Sequence, residues 1–324
     1  MELYADDVAE QYVDFARYAD GSPCFEAWAL AVARDEEVLA WIARLPPVKR
    51  QPNLVLAAAR WHGVPAPGPY EGLRRALLAD DGTIRDTILA RRTQTNEVGR
   101  LATLVPFLGT LADAPVALLE VGASAGLCLY PDRFRYRWDT DAGAVVAGEG
   151  HELRCEVEGR LPEVRVPRVA WRGGIDLHPL RVTDPDAMAW LENLVWPEQE
   201  ERRERLRAAV RVALEDPPHL VSGDLLDLLP ELVGEAASYG PVVVFHSAVI
   251  AYLEPIDRAR FQELMTGLVG AGRCHWVSNE APQVLPEVTA TGPEVPEGLG
   301  TFVLGVDGRA VAWTHGHGAS MRVL

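Results

Sequence analysis

The sequence predicts an α/β fold: a doubly wound, mostly parallel sheet with a helical N-terminal region before it and a β-rich insertion within it. Three observations predict this. No strand pattern occurs before Val116, whereas short apolar runs alternate with helical patterns from there on. The first run, Val116–Val121, is too short for a buried helix and leads straight into Gly122, Ser124 and Gly126. Finally, four of the expected strands end in polar residues: Glu120, Asp176, Asp224, and His246 with Ser247. The carboxyl ends of parallel strands share one edge, so these groups are expected to converge there, where open α/β sheets bind ligands.

In chain order, residues 3–111 read as mostly helix, with apolar positions such as Val8, Tyr12 and Phe15, or Val38, Leu39 and Ile42, at helical spacing. Breaks fall at residues 20–23, at Pro46-Pro47 and in the irregular stretch 63–72. A further helix is expected from Thr93 through Phe107. The domain reading is therefore a helical region over 1–111 and an α/β domain over 112–324. After Gly126 the chain departs from a simple strand–helix–strand crossover. Residues 130–171 read as an inserted β-rich excursion, in which Phe134, Tyr136 and Trp138 alternate with Arg133, Arg135 and Arg137, the mark of a strand with one face buried. The main pattern resumes at 172–180. There follow a helix around Trp190 to Val195, a charged helix over 198–214, and a strand ending in Ser222-Gly223-Asp224. A helix from Leu225, a strand at 242–245, a helix at 255–268 and a strand at 275–278 complete the alternation. Closing strands lie at 302–304, 310–313 and 321–324, with Asp307-Gly308 as a hairpin turn.

Composition narrows the function classes. The 324 residues suffice for one large domain or two ordinary ones. With 31 Lys and Arg against 47 Asp and Glu, the formal net charge is −16, a field that repels phosphate backbones and anionic lipid. A small-molecule partner is expected, not nucleic acid or a membrane. The four cysteines, Cys24, Cys128, Cys155 and Cys274, are far apart and form no C-x-x-C pair, so neither a zinc site nor a redox dithiol is expected. The acidic N-terminus lacks the pattern of a signal peptide, and the longest apolar stretch, 242–253, is too short to span a bilayer. A cytoplasmic protein is expected, its oligomeric state unspecified.

The segment 115–126, PVALLEVGASAG, carries the chemistry. Its Glu120, Gly122 and Gly126 resemble the first motif, E-x-G-x-x-x-G, of class I S-adenosylmethionine (SAM)-dependent methyltransferases. By that resemblance Glu120, Gly122, Ala123, Ser124 and Gly126 form the cofactor loop. Asp176 corresponds to the acid that accepts from both ribose hydroxyls, and Asp224 with Leu225 lies beside the adenine amino group. A ribose diol and an adenine amino group both want an acceptor-only carboxylate. His246 and Ser247 occupy the fourth-strand position facing the methyl group and substrate. His246 is the candidate base, and Gln94, Asn96, Ser247 and Tyr252 are candidate substrate contacts. The departure is the gap of about 50 residues between Gly126 and Asp176, where that superfamily has about 20, which the insertion must account for. Across nearly the whole chain, LLEVGASAGL, PDRFRYRW, RGGIDLHPL, the WPEQ helix, GDLLDLLP and VVFHSAVIAYL, with QTNEVGR ahead of them, resemble a bacterial domain-of-unknown-function family assigned to the methyltransferase-like fold. The resemblance implies that fold, SAM as cofactor and a small methyl acceptor of unknown identity.

Other readings use the same residues. A non-catalytic SAM-binding or regulatory module would keep the loop and lack the catalytic groups; the letters after the fourth strand, FHSAV, form no recognisable substrate motif. Residues 122–126, GASAG, also read as the G-x-S-x-G elbow of a serine hydrolase, with Ser124 as nucleophile, Asp224 or Glu254 as acid and His275 or His315 as base. A G-x-G-x-x-G dinucleotide loop is absent. The plainest alternatives are structural. Glu120 would brace the loop, Asp176 and Asp224 would cap helices or turns, and His246 would be a packed core histidine. His315 and His317 read as part of a loop, not a metal site.

Overall fold

Side-chain caps start the first helices of the computed structural model, which describes residues 7–19, 21–94, 96–296 and 301–324. Asp7 accepts from Ala9 N and Glu10 N ahead of α1 (Val8–Arg17), Ser22 caps α2 (Pro23–Val32) through Phe25 N, and Asp35 caps α3 (Glu36–Ala43) through Val38 N. The order continues with α4 (Pro52–Trp61), α5 (Tyr70–Leu78), α6 (Thr83–Ala90), α7 (Leu101–Leu108), β1 (Val116–Val121), β2 (Phe134–Thr140), β3 (Gly143–Gly148), β4 (His151–Glu158) and β5 (Val169–Asp176). Then come α8 (Pro185–Leu194), α9 (Glu200–Glu215), β6 (His219–Ser222), α10 (Leu225–Ala236), β7 (Val242–Ser247), α11 (Pro255–Gly270), β8 (His275–Glu280), α12 (Pro286–Thr289), β9 (Thr301–Val306), β10 (Arg309–His315) and β11 (Ser320–Val323).

The chain divides into two compact units, residues 1–95 with 185–204, and residues 96–184 with 205–324. The division differs from the expected boundary at 111 in two ways, each with a packing reason. Residues 185–204 return to the helical unit because their tryptophans complete its interior. Trp190 meets Trp61 edge-on at 5.6 Å with the Arg91 guanidinium 5.4 Å from both rings, and Arg60 Nη1 donates to the carbonyls of Asn193 and Val195. Residues 96–108 join the sheet unit instead. Every residue of α7 is buried, and the Trp138 indole of β2 donates to Ala102 O at 2.6 Å. The expected helix from Thr93 to Phe107 is accordingly shorter, a 3-10 turn at Val98–Arg100 leading into α7.

The second unit holds one sheet of eleven strands, ordered β3-β2-β4-β11-β10-β9-β8-β7-β1-β5-β6 among the described residues. From β8 to β6 all neighbours are parallel. β9 joins β8 antiparallel, and β10 and β11 continue as antiparallel neighbours. The apolar core beneath the parallel part is made by Ala117, Leu119 and Val121 of β1, Val242 and Val244 of β7, Trp276 of β8, and residues of α10 and α11 such as Leu229, Val233, Phe261 and Met265. The 130–171 insertion supplies the far end of this same sheet. β2 and β3 form a hairpin, β4 runs parallel to β2, and β11 bridges β4 to β10. Phe134, Tyr136 and Trp138 are buried on one face of β2 as their alternation predicts, the last two stacked at 5.3 Å. The boundary read between residues 171 and 172, where the insertion ends and the main pattern resumes, falls inside a single strand, β5.

Candidate ligand site at the carboxyl edge of the sheet

From β1 the chain goes outward to β5 and β6 and then crosses back to β7 and β8 on the other side. The reversal makes the carboxyl ends of β1 and β7 the topological switch point of the sheet, the usual ligand position in such sheets. Glu120 is in register with Gly174 of β5 and with Phe245 of β7. The two-residue period of a strand then sends Glu120 and Ser247 to one face and His246 to the opposite one.

On the Glu120 face, polar side chains cluster. Glu120 Oε2 is enclosed and has no hydrogen-bond partner among the described residues. Burial, reinforced by the nearby Asp176 carboxylate and opposed by Arg100, raises its carboxyl well above the ordinary carboxylate range. Arg100, itself 8% exposed, donates from Nη1 to Ser247 O at 3.0 Å and from Nε to Gly316 O at 2.8 Å. Ser247 Oγ accepts from Asn279 Nδ2 at 3.0 Å, and Asn279 Oδ1 accepts from Thr314. Glu97, 2% exposed, accepts from Gly99 N, with His317 Nδ1 3.4 Å from its second oxygen. A side chain at Gly318 would collide with the Gly99 carbonyl, so segment 97–100 lies directly against loop 315–318.

The loop after β1 is held from three sides. Asp176 accepts Ser124 N through Oδ2 and His178 N through Oδ1, both at 2.8 Å. Asn96 Nδ2 donates to Ser124 Oγ at 2.8 Å, and Ala125 N donates to Asn96 Oδ1. Gly122 N and Ala123 N both donate to Ile175 O. Gly122, Ser124 and Gly126 have φ of 69°, 51° and 68°, a region where glycine costs nothing and serine is strained. The space above the glycines is filled. A Cβ on Gly122 would overlap Val249, one on Gly126 would press on Pro218, and one on Gly174 would strike Ala123. Their missing side chains thus serve close packing of protein on protein.

The remaining candidates separate. Asp224 is exposed and caps α10 by accepting Leu226 N through Oδ1, with Leu225 partly buried as the first helical residue. Tyr252 is 63% exposed, not a core residue. Gln94 belongs to the helical unit, whereas Asn96 belongs to the sheet unit. His246, the candidate base, is fully enclosed on the core face. Trp276 Nε1 donates to its Nε2 at 3.0 Å; an indole only donates, so Nδ1 carries the hydrogen and donates to Glu280 Oε1 at 2.8 Å. Glu280 Oε1 also accepts from Val249 N and Ile250 N. His246 therefore helps fix the loop after β7 from behind and lies on the face opposite Glu120. Ser124, the candidate nucleophile, is 4% exposed and its hydroxyl is bonded to an amide, which cannot take up a proton. A single 3-10 turn, Leu127–Leu129, follows where a hydrolase elbow would open a helix.

Reading the residues one by one marked Glu97, beside Gln94 and Asn96, as a possible substrate contact but missed Arg100, Asn279, Glu280 and the part that the 315–318 loop plays. A signal existed for some of them: QTNEVGR carries two charges beside an apolar run, and glycines flank His317. Among the described residues no group of three or more His, Cys, Asp or Glu is placed to hold a metal, and no helix is long and apolar enough to cross a membrane. No curated protein matches the sequence. A family profile described as an uncharacterised protein conserved in bacteria matches residues 9–322, and the chain belongs to that family, DUF2332.

Proposed function

We propose that the switch point beside β1 binds S-adenosylmethionine and that the protein transfers its methyl group to a small molecule. The observation that carries this reading is the parallel order β8-β7-β1-β5-β6, in which the first three strands by sequence, β1, β5 and β6, lead into Glu120, Asp176 and Asp224. That order corresponds to a 3-2-1-4-5 doubly wound sheet, with Glu120 beside the switch point and Asp176 and Asp224 after the two strands beyond it. The acceptors suit a nucleoside. Each Asp176 oxygen takes one backbone N–H and keeps a lone pair for a ribose hydroxyl. Asp224 uses one oxygen on its own helix, leaving the other for an adenine amino group. Glu120, with an unpartnered oxygen, suits an ammonium or hydroxyl donor.

When bound, SAM supplies an electrophilic methyl carbon. The chain's own residues would then hold the acceptor in line, with Ser247, Tyr252 and Asn96 at the rim, since alignment is the main demand of such a transfer. His246 has no part in proton transfer in this proposal. The same enclosure of His246 favours a second reading, a SAM-binding module without turnover.

Calorimetric titration with S-adenosylhomocysteine tests the binding reading. Micromolar affinity in the wild type, lost at least tenfold in Asp176→Asn and in Asp224→Ala, is expected. Absence of binding to a folded wild type overturns it. Methyl transfer from SAM across a panel of small acceptors then separates an enzyme from a binding module.

A further inference from the structure

Along β4 buried and exposed positions alternate, and the exposed face carries Glu156 and Glu158. A cleft of about 610 Å³ lies over this face and over neighbouring residues of β2, β10 and β11, a volume within the range of small-molecule sites. Register sorts its polar side chains into two rows. In one, Glu158 is in register with Arg322, and Arg322 with Trp313. Arg322 pairs with Glu158 and lies over the Trp313 ring, 5.7 Å from its centroid, so the charges of that row balance. In the other, Asp139 lies opposite Glu156, and Glu156 opposite Ser320. Two like charges face each other there, an arrangement that costs stability. Arg137 pairs with Asp139 along its own strand, whereas Glu156 has no ion-pair partner among the described residues. Trp313, on the cleft face of β10, is only 7% exposed, yet its indole N–H has no acceptor among the described residues. A buried donor left unpaired is costly, and native structures rarely keep one without a reason.

We propose that this cleft binds an amino sugar, with its protonated amine between Asp139 and Glu156 and a ring hydroxyl oxygen accepting from Trp313 Nε1. Each requirement removes a class of ligand. The opposed carboxylates attract a cation and repel sugar phosphates and nucleotides. A bare polyamine supplies the cation, but its protonated nitrogens only donate and leave the indole without an acceptor. A neutral sugar supplies the acceptor and no cation. A metal ion finds no group of three ligands among the described residues. An amino sugar carries both functions on one rigid ring. The spacing suits it. β10 lies two strands from β4, and the rows are two residues apart, so strand geometry separates the backbones of Glu156 and Trp313 by about 12 Å. One sugar ring with a hydrogen bond at each end bridges the gap that remains between the side chains. Arg322, half-exposed over the indole, turns aside as the sugar enters.

The indole N–H resonance of Trp313, distinguished from those of the other tryptophans by triple-resonance NMR, tests the site. Glucosamine is the probe, titrated at slightly acidic pH, where its amine is protonated and the carboxylates remain ionised. It should move that resonance with a Kd on the order of 1 mM, as suits a ligand of its size. Glucose, which lacks the cation, and putrescine, which lacks the acceptor, should each bind at least tenfold more weakly. Glu156→Gln, at an exposed position, should weaken glucosamine binding at least tenfold while the melting temperature stays unchanged. A Trp313 resonance that glucosamine leaves unmoved up to roughly 50 mM overturns the proposal. So does one that glucose or putrescine moves equally well, the sign of a merely acidic surface in the second case, and so does undiminished binding by Glu156→Gln.

Discussion

Glu280 shows how much one side chain can organise. Its Oε1 is the acceptor for three donors, the His246 ring and the amides of Val249 and Ile250. Glu280→Ala strands all three in the interior and should cost upward of about 3 kcal/mol, whereas Glu280→Gln retains an acceptor oxygen and should cost less than half as much; chemical denaturation of the two variants checks this. The enclosed imidazole of His246 should resist diethyl pyrocarbonate in the native protein while exposed His178 reacts, as peptide mapping after brief treatment would report. Glu120 makes a pH prediction. Burial raises its pKa on folding, so its contribution to stability is whole below about pH 4.5 and is lost as the pH climbs through the raised value. Glu120→Gln should therefore melt higher than the wild type at pH 8, with the gap closing as the pH approaches 4.5. A gap that widens on acidification would reverse the sign assigned to burial.

At the scale of elements, the loop after β1 is a packing joint between three strands. Gly122 has a left-handed φ, and Val249 from the loop after β7 fills the space its side chain would need. Gly122→Ala should cost about 2–4 kcal/mol from strain and overpacking together. Adding Val249→Ala should recover the overpacking share and leave the strain, which a double-mutant cycle on denaturation midpoints can separate. Most strands were legible because each is a short apolar run bounded by turn residues: Val116–Val121, the alternating aromatics of β2 and the Asp307-Gly308 hairpin are visible in the letters alone. The direction of His246 was not. Which face a strand residue takes follows from its register with neighbours, and His246 alternates with Ser247 in a run where the sequence marks neither face as the core. The glycines were legible as a tight turn but not as a site of close packing, because Val249 lies more than a hundred residues away in sequence.

Across the whole molecule, the sequence reading placed a helical region ahead of an α/β region, and in the chain α1 to α7 precede β1. Their boundaries follow packing that spacing along the chain does not express: Trp190 and Trp196 belong with helices far upstream, and α7 belongs with β2 and β4. The insertion was recognisable as β-rich from its alternation. Its union with the main sheet was not, since that union is made by β11, whose partner β4 is distant in sequence and whose own four residues carry little pattern.

That placement of β11 bears on the order in which the protein is made. β4 leaves the ribosome about 160 residues before Ser320–Val323, the strand that connects it to β10. At ordinary elongation rates this is a wait of roughly 8–30 s. Throughout it the β2-β3-β4 leaflet has an open inner edge in addition to its outer one, while the parallel strands form beside it. The sheet closes only when its central splice arrives last, so the nascent chain must keep two half-sheets from finding other partners until then.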